Sequence, residues 1–139
     1  MRSHRRHRSR RGASALELAL TFPIILSVIS VVADFGWYLA LQTHVLQAVG
    51  EGARMGVTID VDDSPTPTEY ALEHTQNVLT GLGVPCEDED HCDIEATLET
   101  LGSLEVLRVQ AAVTYEPVIG LVPCPDVIRA ETTMAIEDQ

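Results

Sequence analysis

Residues 18–41 read LALTFPIILSVISVVADFGWYLAL, and a run this long and this apolar limits the chain more than any other feature in it. Its sole charge is Asp34. About 20 predominantly apolar residues are enough for a membrane-spanning helix. Directly ahead lies an arginine block, Arg2, Arg5, Arg6, Arg8, Arg10 and Arg11. Basic residues beside an apolar segment hold their end of the chain on the cytoplasmic side. The expected topology is therefore a single pass, with the N-terminus cytoplasmic and the C-terminal domain outside. From Gly12 to Asp34 is 22 residue steps, roughly 33 Å of helical rise, and the hydrocarbon core is about 30 Å thick. This register puts Arg10 and Arg11 at the inner interface and Asp34 near the outer one. Trp37 and Tyr38 then fall in the outer aromatic belt.

Charge divides the chain in two. Beyond position 12 only Arg54, Arg108 and Arg129 are basic, there is no lysine, and all 21 acidic residues lie there, a formal charge of 3 − 21 = −18. A surface so acidic repels a phosphate backbone and argues against nucleic-acid binding. The arginine block taken alone resembles a nucleic-acid arm, but the apolar run following at once makes topology the better reading.

Glu17 is anomalous. On the same register it lies about 7 Å inside the membrane, where a carboxylate needs a partner or a function; the plain alternative is that it snorkels or is protonated. Its context is RRGASALEL, residues 10–18. Arg-Arg-Gly, four small or apolar residues, glutamate and an apolar helix together resemble a type IV pilin leader. Further on, residues 47–57 read QAVGEGARMGV, similar to the EGAR-x-G segment that closes the first helix of TadE-like proteins. Leu18 stands where many relatives carry Phe.

The resemblance to the TadE-like family implies cleavage by a prepilin peptidase between Gly12 and Ala13, with Glu17 the fifth residue of the mature chain. Glu17 of one subunit would neutralise the new α-ammonium on Ala13 of a neighbour as helices pack, so that neither charge stays alone in a low-dielectric setting. It further implies a minor pilin or pseudopilin of a tight-adherence (Flp, type IVc) pilus or related secretion machinery in the bacterial inner membrane. Its partners would be other pilins, the assembly platform and the peptidase, with possible incorporation into an extracellular pilus. A different processing route, signal-peptidase cleavage after Val31-Val32-Ala33, would release a domain starting at Asp34 with an exposed FGWYLAL, and the apolar run continues past that cut.

Beyond the membrane the first helix is expected to reach about Arg54, where Gly50, Gly52 and Gly56 loosen it. Residues 58–66 read as a linker. Thr66-Pro67-Thr68-Glu69 has the form of a capping box with proline at the first helical position. Ala71, Leu72, Thr75, Val78, Leu79 and Leu82 recur at helical spacing, and Gly81 and Gly83 supply the stop, predicting a helix from Pro67 to about Thr80. Pro23 in the first helix removes a backbone donor and favours a kink.

Three strands follow by alternation. Ile94, Ala96 and Leu98 face one way against Glu95, Thr97 and Glu99. Leu107, Val109, Ala111, Val113 and Tyr115 repeat the pattern. So do Ile128, Ala130, Thr132, Met134 and Ile136, with Arg129, Glu131 and Glu137 outward. Gly102-Ser103 fits a hairpin between the first two. The expected fold class is α+β: a long N-terminal transmembrane helix, then a small antiparallel sheet of about three strands with one short helix packed on it. The divisions are 1–12, a basic leader; 13–55, the membrane-spanning and extended helix; and 56–139, a small extracytoplasmic domain. Its 84 residues are marginal for an independent core, so the membrane-distal half of the first helix is expected to pack against it.

Cys86, Cys92 and Cys124 would face an oxidising compartment. The favoured bridge is Cys86–Cys92, closing CEDEDHC; Cys124 is left over, or pairs with one of the others or with another subunit. A zinc site from Cys86, His91, Cys92 and Cys124 is the weaker reading, because oxidation competes for the thiols. Two acidic groups, Asp60, Asp62 and Asp63, and Glu87-Asp88-Glu89-Asp90, lack the spacing of a calcium loop and read as solvated loops. No nucleophile triad, phosphate loop or metal-protease helix stands out. No enzymatic activity, cofactor or metal is expected. The rival from another functional class is an unprocessed, membrane-anchored extracytoplasmic protein binding a cation or a basic partner through its acidic face.

Overall fold

A computed structural model describes residues 7–60, 64–84, 86, 91–121 and 123–136. One helix dominates it. α1 (His7–Gly56) runs 50 residues, about 75 Å at the helical rise. It continues unbroken through Pro23 and begins before Gly12. The Ser27 hydroxyl donates to the Pro23 carbonyl at 2.9 Å.

α2 (Pro67–Gly81) starts and stops for local reasons. At its N-cap, Thr66 Oγ1 accepts from the Glu69 amide at 3.4 Å, and the Glu69 carboxylate accepts from the Thr66 amide at 3.0 Å. Two orphan donors are thereby satisfied, with Pro67 occupying a first-turn position that has no N–H to lose. At the other end the Gly83 amide donates to Thr80 and the Val84 amide to Leu79, both at 3.0 Å. Gly83 has φ +79°, and Val84 is buried with Leu79. This is a Schellman stop with its hydrophobic contact.

β1 (Cys92–Leu101), β2 (Leu104–Thr114) and β3 (Val127–Ala135) form an antiparallel sheet in the order β1-β2-β3. Leu101 pairs with Leu104 across Gly102-Ser103. Gly102 is at φ +71° while Ser103 is not positive, the pattern of a two-residue II′ hairpin. Residues 115–126 join β2 to β3, the loop closed at its base by the Tyr115 amide donating to Asp126 at 2.8 Å. The expected alternation holds through most of the sheet: Leu107, Val109, Ala111, Val113, Tyr115 and Ile128 are buried, while Glu95, Gln110 and Glu131 lie on the opposite face in register. It departs near the β1–β2 hairpin, where Leu98, expected inward, is exposed and Val106, on the other face, is buried.

Both helices cover the apolar face of the sheet. α2 lies against β1, but α1 takes the larger share, lying against β3, β2 and α2. From Asp34 onward one stripe of α1 is buried or half-buried, through Tyr38, Leu41, Val45, Val49, Gly52 and Gly56. The steps of three and four keep it on one helix face. Val45, Ala48, Val49 and Ala53 are fully buried in the core with Leu79, Leu107 and Val109. The distal half of α1 is thus a wall of the domain, as its small size requires.

The glycines near the end of α1 act differently from the expectation that they loosen the helix. A Cβ on Gly52 would lie 1.9 Å from Thr75 Oγ1 and 3.0 Å from the Ala71 carbonyl. One on Gly56 would meet Leu107 Cδ2 at 2.5 Å and the Pro67 carbonyl at 2.9 Å. The helix runs straight on to Gly56, and the missing side chains let α2 and β2 approach its backbone. Gly50 has nothing within 4 Å and is free of that demand.

Two substitutions separate these roles. Gly52→Ala overpacks the crossing and is expected to cost about 1–3 kcal/mol. Gly50→Ala meets no obstacle and is expected to be neutral or to add up to about 1 kcal/mol through helix propensity. Denaturant unfolding of the full chain in lipid nanodiscs measures both. Equal effects at the two positions would contradict the packing role of Gly52.

Candidate functional site

Two places along α1 combine polar chemistry with an apolar setting. The first holds the expected processing residues. Gly12 and Ala13 sit within the continuous helix, and Ala13 and Glu17 are exposed one turn apart. The Thr21 hydroxyl donates to the backbone carbonyls of Glu17 at 3.0 Å and Leu18 at 3.3 Å, so it bonds to the helix and not to the Glu17 carboxylate. Every residue from 13 to 29 is exposed, including Leu16, Leu18, Leu20, Phe22, Ile24 and Ile25. An apolar helix bare on every side is stable in lipid or against like helices, not in water. The helix is long and apolar enough to cross a membrane.

The second place is Asp34, the lone charge of the apolar run. It is fully buried. Its carboxylate accepts the Ile119 amide on Oδ1 at 2.8 Å and the Gly120 amide on Oδ2 at 3.2 Å. Its backbone carbonyl accepts the Tyr115 hydroxyl at 2.8 Å. Tyr38, one turn on, packs edge-to-face on Tyr115 with ring centroids 5.4 Å apart. Consecutive backbone amides turned toward one point form an anion-binding concavity, and Gly120 at φ +70° gives the loop the bend that turns them there. Helical side chains lean toward the N-terminus, so the loop lies over the turn before Asp34. Ser30, one turn down on that face, is buried, whereas residues 13–29 are all exposed.

The polar groups of this clasp leave a mark on Tyr115. Burial pushes its phenol above the usual value near 10, and the neighbouring Cys124 thiol and Asp34 add to the rise. Sequence reasoning placed Asp34 near the outer interface and Tyr115 on the inward face of its strand, but did not join them. The available signal was a lone carboxylate in an apolar helix, together with an uncharged, glycine-containing loop far along the chain.

Cys86 and Cys92 are joined in a disulfide and Cys124 is free and half-buried. The zinc arrangement is thereby corrected, since two of its four ligands are consumed in the bridge. Asp60 is exposed, while Asp62, Asp63 and the run at 87–90 lie outside the described residues. Among the described residues no three His, Cys, Asp or Glu side chains converge as metal ligands. On the outer face of the sheet Arg108 lies between Glu99 at 3.2 Å and Glu131 at 3.3 Å. Ion pairs as exposed as these contribute little stability.

Residues 12–54 match the family model of TadE-like proteins. The match spans under a third of the chain and overlaps both segments that carry the resemblance, leaving out Arg10 and Arg11 at one end and residues 55–57 at the other. TadE-like proteins are pilus-associated components of tight-adherence systems, a structural family. No curated protein and no solved structure matches the chain.

The clasp has measurable consequences. Tyr115→Phe removes one buried hydrogen bond and is expected to cost about 1 kcal/mol, and Asp34→Ala, which removes both amide acceptors, about 2–3 kcal/mol. A phenol raised in the folded state contributes stability that is fully present below the unfolded value near 10 and is lost as pH climbs through the folded value. Unfolding free energy in nanodiscs is therefore expected to fall above about pH 10, and less steeply in Tyr115→Phe. A profile unchanged by that substitution would contradict the assignment.

Proposed function

We propose that this chain is a minor pilin or pseudopilin of the TadE type, an assembly subunit of a tight-adherence pilus or a related secretion machine. The family match over residues 12–54 carries the reading, because that stretch includes Gly12, Ala13, Glu17 and the Glu51-Gly52-Ala53-Arg54 segment. Prepilin peptidase cuts after Gly12 and frees an α-ammonium on Ala13. Glu17 of one subunit neutralises that ammonium on the next, which sets the axial register of helices packing side by side.

The bare apolar surface of residues 13–29 supports this role. In the inner membrane it faces lipid; in an assembly the same surface faces the helices of other pilins. The domain is displayed outward from the far end of α1. The N-terminus lies in the cytoplasm and the sheet outside, and the work is structural, with no catalytic step.

The reading is tested by mass spectrometry of the mature N-terminus in protein from native membranes. A chain starting at Ala13 is expected. A start at Met1 would indicate an unprocessed anchored protein, and one at Asp34 a secreted domain; either overturns the proposal. In cells making the pilus, Glu17→Ala is expected to abolish incorporation while leaving membrane insertion intact.

A further inference from the structure

The loop that holds Asp34 is unlike the rest of the domain surface. Val118 is 67%, Ile119 45% and Leu121 68% exposed. From residue 117 to 125 the sequence PVIGLVPCP carries no charge, in a segment of the chain with formal charge −18. Glu116 and Asp126 bracket it. Three adjacent large apolar side chains turned to solvent mark a binding surface rather than ordinary exposure.

Its position says what it binds. The Ile119 and Gly120 amides are tied to Asp34, which the register of α1 sets at the outer membrane interface. The exposed apolar surface of α1 runs up to this level, through Val31, Val32, Phe35 and Trp37. The loop's apolar side chains therefore continue a surface that already faces lipid. Backbone polar groups are the usual obstacle to placing a loop at such a depth. Here two amides of the loop tip are already satisfied by the Asp34 carboxylate.

We propose that residues 117–121 form a second membrane contact, with Val118, Ile119 and Leu121 seated in the outer interface of the lipid bilayer beside α1. The sheet then stands at a fixed tilt to the membrane instead of swinging on a single helix. Apolar side chains inserted at headgroup depth are a recognised mode of interfacial anchoring. The inference rests only on α1 spanning a membrane, and stands or falls independently of pilin processing.

A comparison site is built into the fold. β2 runs from Leu104 to Thr114 opposite to α1, since Gly56 lies by Leu107 and Asp34 by Tyr115. The hairpin tip with Leu101 (65% exposed) and Leu104 (55%) is therefore at the membrane-distal end. Its two leucines are exposed like the apolar side chains of the loop, but they are out of reach of the bilayer.

The test uses the full chain in liposomes, with Trp37, its only tryptophan, replaced in a Trp37→Phe background. Leu121→Trp and Leu104→Trp each then report one position, both at exposed sites where the larger ring meets no packing. In Leu121→Trp the expected result is blue-shifted emission, strong quenching by lipids brominated near the top of the acyl chain, and several-fold weaker iodide quenching than in Leu104→Trp. Iodide quenching equal at the two positions would overturn the proposal. Protection from iodide without quenching by brominated lipid would also overturn it, and would assign the loop to contact with a second copy of the chain.

Discussion

A single helix has to satisfy two solvents, and the rest of the molecule follows from how it does so. Along residues 13–29 α1 offers apolar side chains all round, a surface for lipid or for other helices. From Asp34 to Gly56 it narrows to one buried stripe against a sheet. The change happens within about one turn, at Ser30 and Asp34. Asp34 is the polar group at the junction, and the β2–β3 loop reaches down to satisfy it. The clasp marks where membrane helix becomes core helix and ties the near end of the sheet to that point.

The small domain depends on this sharing. A three-stranded sheet and one 15-residue helix make a marginal core by themselves against the entropy of ordering so many residues. Val45, Ala48, Val49 and Ala53 supply the missing wall. Close approach at the other end comes from Gly52 and Gly56, whose missing side chains admit Thr75, Ala71 and Leu107. The EGAR segment, which reads in sequence as a family signature, has a packing reason in this chain. Arg54 is exposed and Glu51 half-exposed, so it is the small residues between and after them that the core requires.

Much of this was legible in the sequence because it rests on short-range rules. The capping box at Thr66 and Glu69, the stop at Gly83 and the Gly102-Ser103 hairpin are set by neighbours in the chain, and each forms as expected. Alternation likewise announced which face of each strand is buried. The pairing of Cys86 with Cys92 follows from their closeness in sequence. What was not legible lies between distant segments. Gly52 looked like a helix breaker because its reason, Thr75, sits on another element. Asp34 looked like an interface marker because its partners are 81 to 86 residues away. The chemistry proposed for Ala13 and Glu17 would involve neighbouring subunits, and a single chain shows only that Glu17 is exposed and its helix face open.

Hydrogen exchange along α1 in the full chain, held in nanodiscs, addresses the shared helix most directly. With Asp34 at the outer interface, residues 42–53 would lie beyond the bilayer, where lipid would not protect their amides. If the distal half of α1 is a wall of the core, these amides exchange as slowly as those of β2 and open together with them in rising denaturant. Fast exchange at 42–53 with a protected sheet would mean that the domain folds without the helix, and would contradict the account.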